Sequence, residues 1–347
     1  MAPSNIEKIN SSLGEVGKPE DRTFGRKYLT VNRALNTGFE LVDEFARFLP
    51  ETLNSRRFVM RSLLSDDAVN YAKHIGLPIE AGIPMSLVTG NEQEKSTIVY
   101  IAKNRHDSPR QGENPREFIK NRSNGRIPVD RARNLPNEYL PTRNLTDNDA
   151  AELYNLWERF GWEPNEIKSF IKRVQNKENN LWFSGIRDIK TGKLIAVCNA
   201  EAIEFAGIRY IETTEYSTNI DYEGQHLSTT AVSALIAQIL KDVYYENNDD
   251  LIPVITAEFN TSSTSPSVGA SAGFIIPDID GIDGILSYNV AVRDNGAPNK
   301  VFNDSKKSDR GIPYSQLRDF ALAVLPINKI QELYPPEVVG EIINYYQ

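Results

Sequence analysis

Hydrophobic positions recur along the chain with a period near 3.6 in some segments and near 2 in others, which predicts alternating helices and strands. The first third is predicted to hold two amphipathic helices and a β-hairpin, over residues 39–49, 65–76 and 85–102. Pro50 ends the first helix, Ser65 caps the second, and Gly90 lies in the hairpin turn. A loosely ordered polar segment over residues 1–30 precedes this small α/β region.

Residues 104–136 differ in composition from the region before them, because they contain fewer apolar and more basic residues. The basic side chains are Arg105, Arg110, Arg116, Lys120, Arg122, Arg126, Arg131 and Arg133. Such a composition is typical of a solvated linker or long loop. The alternative is a flap that meets phosphate groups.

The central part of the chain has a regular order of predicted elements: strand, two helices, a three-strand meander, a long helix, a strand, a short helix and closing strands. Asp188–Gly192 forms the turn within the meander, and Gly224 precedes the long helix. The last fifty residues are predicted to form two helices, over 314–325 and 336–346. A diverged copy of the central region is one alternative for the N-terminal region.

This order resembles the GNAT fold of acyl-CoA-dependent N-acyltransferases, over residues 139–293. Two motifs carry the resemblance. Glu212-Thr213-Thr214-Glu215-Tyr216-Ser217-Thr218, followed by the loop to Ser228, is similar to the family's fourth strand and pyrophosphate loop. Ile255–Asn260 followed by Ala272-Gly273-Phe274 is similar to its fifth strand and closing segment. The resemblance implies a mixed, mostly antiparallel sheet flanked by helices, an α/β (α+β) class, with the N-terminal α/β region and C-terminal helices added.

The loop is also expected to bind an anion on physical grounds alone, because amides that converge at a helix start bind anions with help from the helix dipole. Gly224 lets a backbone approach a diphosphate closely. The loop departs from the family pattern, which has Arg or Gln, then Gly, then Gly or Ala, where this chain has Glu223, His226 and Ser228. Glu223 is unfavourable beside a diphosphate unless its side chain points away.

Amine acylation needs a group that accepts the proton of the amine, and the resemblance implies a carboxylate on the fourth strand. Glu212 and Glu215 are the candidates, and an unbulged strand would put them on opposite faces. Glu212 is preferred by its position relative to the loop. The alternative is that either is an ordinary strand surface charge. The family's usual thiolate acid is a Tyr on the short helix, but residues 261–271 contain no Tyr, so His226 or solvent would have to serve.

The resemblance implies that acyl-CoA is held by backbone amides at the end of the fourth strand and at the start of the long helix. The expected cofactor-binding residues are Tyr216, Ser217, Thr218, Glu223, Gly224, Gln225, His226, Leu227, Ser228, Thr229 and Asn260. Asn260 would contact the pantetheine arm or cap the short helix. His226 would alternatively be a first-turn histidine without a role.

Bulk properties exclude several function classes. The formal net charge of -8 argues against a dedicated nucleic-acid binder. The single cysteine, Cys198, lies in an apolar run and is predicted to be a buried small hydrophobe. Three scattered histidines give no zinc spacing, so no metal is expected. With neither a signal peptide nor an apolar run long enough to span a membrane, a cytoplasmic protein is expected.

The domains are predicted as an N-terminal α/β region with basic linker over 1–136, a GNAT-like domain over 137–298 and a helical extension over 299–347. The favoured function is acyl transfer, most simply of acetyl, from acetyl-CoA or another acyl-CoA to a primary amine of a small molecule or peptide. A non-catalytic acyl-CoA-binding or protein-interaction module is one alternative. An aminoacyl-tRNA-dependent transferase with two GNAT-like halves is another. No membrane or nucleic-acid partner is expected, and a homodimer is compatible with these features.

Overall fold

The computed structural model describes residues 16–17, 20–21, 26–31, 38–48, 57–102, 126–158, 162–246, 250–260, 265–282, 284–291 and 317–346. They form two β-sheets, each flanked by helices and each mostly antiparallel. The expected mixed α/β class is confirmed.

The N-terminal sheet has six strands. They are β1 Val16–Gly17, β2 Glu20–Asp21, β3 Arg26–Val31, β4 Arg57–Ser65, β5 Ile79–Pro84 and β6 Ser96–Ala102. The sheet order is β1-β3-β4-β6-β5, with β2 also paired to β3. Its helices are α1 Phe39–Phe48, α2 Asp66–His74 and the single turn α3 Met85–Thr89. Ser65 caps α2 as predicted, because its hydroxyl accepts from the amide of Ala68.

The central sheet has seven strands in the order β12-β13-β11-β10-β9-β8-β7. They are β7 Tyr139–Thr142, β8 Leu181–Asp188, β9 Leu194–Phe205, β10 Ile208–Thr218, β11 Ile252–Asn260, β12 Ile285–Ala291 and β13 Leu317–Val324. The helices are α4 Arg126–Arg133, α5 Ala150–Trp157, α6 Pro164–Gln175, α7 Leu227–Leu240, α8 Ser265–Ala272, α9 Ile327–Leu333 and α10 Pro336–Tyr345. The predicted order of strand, two helices, meander, long helix, strand and short helix is confirmed.

The two sheets share a topological motif. The N-terminal order β3-β4-β6-β5 corresponds to the central order β10-β11-β13-β12, and in each the first two strands are parallel while the remaining pairs are antiparallel. A helix follows each of the first two strands in both units. This agrees with the view of the N-terminal region as a diverged copy of the central one.

The two faces of the central sheet have different covers. The outer face, which includes Cys198, Ala200 and Ile211, packs against α7. The inner face, which includes Phe205 and Tyr210, packs at one end against the N-terminal sheet. The helices α5 and α6 cover the other end of the inner face through an aromatic cluster. The part of the inner face between these two covers is where the candidate site lies.

Three segments have a secondary structure that differs from the prediction. Residues 314–325 were expected as a helix, but 317–324 form β13, which inserts between β11 and β12 and is buried there because alternate apolar side chains face both layers. Met85–Thr89 is a helical turn rather than a strand, and the hairpin partner of β6 is β5. Within the loosely ordered first segment, Arg26–Val31 forms a strand because β4 pairs with it.

The basic stretch is not wholly a linker. Residues 103–125 lie outside the described residues, but 126–133 form α4, whose Val129 and Ala132 are buried in the same core as α7. The apolar spacing within the basic residues was the signal for this helix. The final helix, over 336–345, is confirmed.

Candidate functional site

The parallel strands β10 and β11 pair over only part of their length. Their register runs from Ile208–Ile252 to Thr213–Ala257. Beyond that rung β10 continues to Thr218, paired with β9, and β11 continues paired with β13. The two strands therefore part after Thr213, and each presents a backbone edge without a ladder partner to the opening between them.

A β-bulge lies on β10 beside this opening. The register with β9 shifts between Thr214 and Ser217, and Glu215 has a φ of +50°. The extra residue turns the Glu215 side chain to the inner face, while Tyr216 faces outward against the α7 core. Glu212 lies on the inner face with Tyr210 by strand alternation. The two candidate carboxylates thus share one face, and the expectation of opposite faces, which assumed an unbulged strand, does not apply.

Two indole groups hold Glu215 in place. Trp162 Nε1 donates to Glu215 Oε1 at 3.3 Å, and Trp157 Nε1 donates to the Glu215 carbonyl at 3.1 Å. The two indole rings pack at 5.0 Å between centroids and belong to the aromatic cluster of α5 and α6. The second carboxylate oxygen, Oε2, is buried and accepts no hydrogen bond of ordinary geometry. Glu215 therefore has one anchored oxygen and one that can accept a proton.

The surroundings of Glu215 favour its protonated form. Burial and then the nearby Glu201 carboxylate raise the pKa of Glu215 to about 7, against opposing contributions from Trp162, Thr214 and Asn199. A carboxylate with this pKa can both take up and release a proton near neutral pH. Perturbation of this kind is concentrated at functional sites.

Tyr216 occupies the other side of the same bulge. Its hydroxyl contacts Thr213 Oγ1 and lies 3.2 Å from the Thr213 carbonyl oxygen, so the phenol sits at the rung where the strands part. Its ring lies 5.8 Å from that of Phe259 on β11, across the opening. Burial raises the pKa of Tyr216 well above its ordinary value, which keeps the phenol protonated.

The short helix α8 has no room for a side chain at position 269. Gly269 packs directly against the Phe259 ring, and a Cβ at position 269 would collide with it. Phe259 thus fills the space that a side chain at position 269 would enter. Sequence reasoning gave Tyr216 only a backbone role, because the bulge that turns its phenol into the opening has no sequence signature.

The start of α7 is open. His226 is the N-cap residue with a φ of +61°, and its side chain is exposed and makes no cap hydrogen bond. The first intrahelical bond runs from the amide of Thr230 to the His226 carbonyl. The three preceding amides, of residues 227–229, thus lack an intrahelical acceptor. Gly224 has a φ of +79°, and a Cβ added to it would meet no atom within 4 Å, so the loop is accessible.

Several side chains of the loop and of the end of β10 already make contacts within the protein. Leu227 is buried in the core, and the Thr229 hydroxyl donates to the His226 carbonyl at 2.7 Å, so both could meet a ligand only through their amides. Ser228 Oγ contacts Thr218 Oγ1, which ties the end of β10 to the first turn of α7. The Ser217 hydroxyl donates to the Leu156 carbonyl at 2.9 Å.

His226 lies at the start of α7, beyond the end of β10, whereas the two candidate carboxylates Glu212 and Glu215 lie within that strand. Glu223 is exposed. The side chain of Asn260 lies outside the described residues, so a pantetheine contact and a cap of the short helix both stay predictions.

Arg131 on α4 brings a positive charge to the loop. Its Nη1 donates to the Gln225 carbonyl at 2.8 Å, and the Gln225 side chain accepts from the Tyr139 hydroxyl. The basic stretch was the only sequence signal for this contact. Glu223 stands where Arg or Gln was expected, and Arg131 brings a cation from another element to the neighbouring Gln225.

Cys198 is fully buried and burial raises its pKa, which confirms the interpretation as a small hydrophobe. Among the residues described, no group of three or more His, Cys, Asp or Glu has a geometry suited to a metal ion. None of the described helices has the length and apolar character needed to cross a membrane.

Comparison with known proteins gave structural similarities only. No family model and no curated protein sequence matches the chain. A GNAT-family acetyltransferase from Streptococcus pneumoniae is 15% identical, with 55% of this chain and 100% of that chain covered and a TM-score of 0.36. The paia N-acetyltransferase from Thermoplasma acidophilum, solved with coenzyme A, is 16% identical over 41% of this chain and 93% of its own, with a TM-score of 0.33.

Glucosamine-6-phosphate N-acetyltransferase from Arabidopsis thaliana is 12% identical over 34% of this chain and 80% of its own, with a TM-score of 0.28. Similarities at this level assign no activity or substrate to the chain. What can be argued about its chemistry follows from its own strand order, bulge and side-chain contacts.

Proposed function

We propose that the central sheet, with its GNAT-like order of elements, belongs to an N-acyltransferase that moves an acyl group, most simply acetyl, from acyl-CoA to a primary amine. The observation that carries the proposal is the position of Glu215. Its carboxylate, with a pKa raised to about 7 and one oxygen without a donor, lies on the bulge beside the place where β10 and β11 part.

The two proton transfers take place on opposite faces of the bulge. On the inner face, Glu215 accepts the proton that the amine nitrogen loses as it bonds to the thioester carbonyl carbon. On the outer face, the Tyr216 hydroxyl donates a proton to the sulfur as the carbon–sulfur bond breaks. The products are an amide and free CoA thiol. Glu215 then holds the proton of the amine and Tyr216 is a phenolate, and loss of a proton to water by Glu215 with uptake of one from water by Tyr216 restores both groups. Glu215 replaces Glu212 as the preferred proton acceptor.

The acyl-CoA lies on the outer side of the opening in this proposal. The backbone edge of β10 at Tyr216 to Thr218 holds the thioester carbonyl, since donors there act where charge develops. The amides at the start of α7 and the Arg131 guanidinium hold the diphosphate. His226 has no proton-transfer role, because Tyr216 occupies the opening itself.

A two-stage experiment tests the proposal. Thermal unfolding is followed with CoA, acetyl-CoA and longer acyl-CoAs, and a preformed site raises the unfolding temperature because a ligand of the native state adds RT ln(1 + [L]/Kd) to the stability. Thiol release is then measured with a panel of amines. Stabilisation with turnover supports the enzyme, and stabilisation without turnover supports the non-catalytic acyl-CoA-binding module. The absence of any stabilisation contradicts both.

One structural observation favours a second candidate. The repeated β-α-β-α-β-β order of the two sheets fits a transferase built from two GNAT-like halves, for which the acyl donor would be an aminoacyl-tRNA. The net charge of -8 weighs against it. Binding of a labelled aminoacyl-tRNA, compared with binding of acetyl-CoA to the same protein, separates the two donors. The expected domain limits at 136 and 298 are moved outward in this proposal, because α4 packs in the core of α7 and β13 lies between β11 and β12.

A further inference from the structure

Asn199 on β9 lies beside the bulge of β10, on the inner face of the sheet. It pairs with Thr214 at the last rung before the register shifts. The residues before and after it, Cys198 and Ala200, belong to the core on the outer face, so strand alternation directs the Asn199 side chain inward. Glu215 reaches the same face through the bulge. A side-chain amide and a carboxylate therefore lie next to each other where β10 and β11 part.

The side chains of Asn199 and Glu215 are hydrogen-bonded to each other. Burial raises the pKa of this carboxylate, and hydrogen bonds from Trp162, Thr214 and Asn199 act against it. Because an ionised carboxylate has no proton to donate, the side-chain nitrogen of Asn199 must be the donor. This fixes the amide with Nδ2 toward Glu215 and Oδ1 on the other side. A carboxylate has about four lone-pair positions, so these donors leave room for one more.

The carbonyl oxygen of the Asn199 amide is left without a donor. Asn199 is 1% exposed, and no described group donates a hydrogen bond to its Oδ1. Its cross-strand partner on β8 is Phe183, whose ring belongs to the aromatic cluster and has no N–H or O–H group. A buried carbonyl oxygen without a donor is rare, because its lost hydration is not compensated. This oxygen therefore indicates a ligand that brings a donor.

We infer that Asn199 is a catalytic residue of the proposed acyltransferase, and that its Oδ1 accepts a hydrogen bond from the nitrogen of the acceptor amine. The inference rests on the proposed function and adds the group that orients the acceptor. Thr214 and Glu215 are half-buried, so the amine reaches Asn199 past them from the surface of the inner face.

This arrangement suits a primary amine. A neutral primary amine directs one N–H to Glu215 and the other to Asn199, which leaves its lone pair facing the thioester carbonyl carbon. When the carbon–nitrogen bond forms, the first proton passes to Glu215. The second stays on the amide product and is still donated to Asn199. An N-methyl secondary amine has a single N–H, which passes to Glu215, so its methyl group is left against Oδ1.

The test compares primary amines with their N-methyl derivatives. Thiol release from acetyl-CoA is measured with benzylamine against N-methylbenzylamine and with glycinamide against sarcosinamide. In the unmodified protein we expect kcat/KM to be higher for the primary amine by roughly tenfold or more. In Asn199→Ala this ratio should fall by about five- to tenfold, because only the primary amine loses a hydrogen bond. A ratio near one in the unmodified protein, or the same ratio in the variant, overturns the inference.

Thr214→Val is the matched control at the same rung. Thr214 and Asn199 both hydrogen-bond to Glu215, so loss of either should raise the pKa of Glu215 and move the fall of kcat to higher pH. Only Asn199→Ala should change the ratio of primary to N-methyl amine, measured at a pH above the fall of kcat in all three proteins. Asn199→Ser, also too short to reach the amine, takes its place if the alanine variant does not fold. An equal change of the ratio in the two variants contradicts a contact between Asn199 and the amine.

The outcomes separate this inference from the proposed function. If primary amines are acylated but the ratio does not respond to Asn199, only the role of Asn199 is wrong. If acetyl-CoA binds without turnover of any amine, the enzyme proposal fails, and this inference fails with it. If acetyl-CoA does not bind at all, the acyl-CoA-binding module fails as well.

Discussion

Glu212 and Glu215 lie on the same face of the central sheet although three positions separate them along β10. The cause is the bulge at Glu215, whose positive φ inserts one residue into the alternation. As a result the carboxylate with the raised pKa lies beside the opening between β10 and β11, and Glu212 lies one step back along the same face.

Replacement of the proton acceptor should abolish most of the turnover without loss of CoA binding. Glu215→Gln keeps the hydrogen bond from Trp162 but cannot take up a proton, so we expect kcat to fall by about 10²- to 10⁴-fold. In the unmodified protein kcat should fall as the pH drops through about 7, because protonated Glu215 cannot accept the amine proton. The check is a pH profile of kcat at saturating acetyl-CoA. A Glu215→Gln variant with an unchanged profile would contradict the role.

The indole of Trp162 should determine the pH at which kcat falls on the acidic side of the profile, called the acidic limb. Its N–H stabilises the ionised carboxylate and lowers the pKa of Glu215, so Trp162→Phe is expected to move the limb to higher pH. Trp182→Phe is the matched control, since the Trp182 N–H donates to Asp242 on the other face of the sheet. A limb that moves equally in both variants would point to a general effect on stability.

Loss of the Tyr216 hydroxyl should slow the departure of the thiol. Tyr216→Phe is expected to lower kcat by about 10- to 100-fold while CoA affinity is kept. The loss should shrink for acyl donors with a more acidic thiol, which leaves without a proton. Thr213→Val removes the hydroxyl that contacts the phenol but keeps the phenol, so its kcat should stay near that of the unmodified protein. If the two variants lose kcat equally and with every donor, Tyr216 has only a packing role.

The guanidinium of Arg131 should contribute to CoA affinity. Arg131→Ala is expected to raise the Kd for CoA by about tenfold, equal to about 1.4 kcal/mol, with a smaller difference at high salt. Arg133→Ala is the control on the same helix, because Arg133 pairs with Glu341 instead. Titration calorimetry of both variants at two salt concentrations gives the comparison, and equal affinities would exclude a phosphate contact.

The contact between Gly269 and Phe259 should be a point of stability. Gly269→Ala forces the Phe259 ring to move and is expected to cost about 1–3 kcal/mol of unfolding free energy. Gly340→Ala, in α10, meets nothing within 4 Å and should instead stabilise the helix by up to about 1 kcal/mol. Chemical denaturation of both variants measures the difference. A neutral effect at position 269 would show that the ring has space to relax.

The sequence by itself determined the order of the central elements and the loop at the start of α7, because these depend on local periodicity, turns and caps. The Asp188–Gly192 turn, the capped helices α5 and α6 and the burial of Cys198 are all local consequences of residue type. It also identified the strand with both candidate carboxylates.

Only the tertiary structure decided which side chains meet. The apolar run of β13 reads equally as a helix, and its state is fixed by pairing with β11 and β12, which lie far away in sequence. The bulge, the two indoles at Glu215, the phenol at Thr213 and the contact of Arg131 with the loop all join distant segments. Such contacts depend on the strand register and on the closure of long loops, and the residue pattern of any one segment carries no record of them.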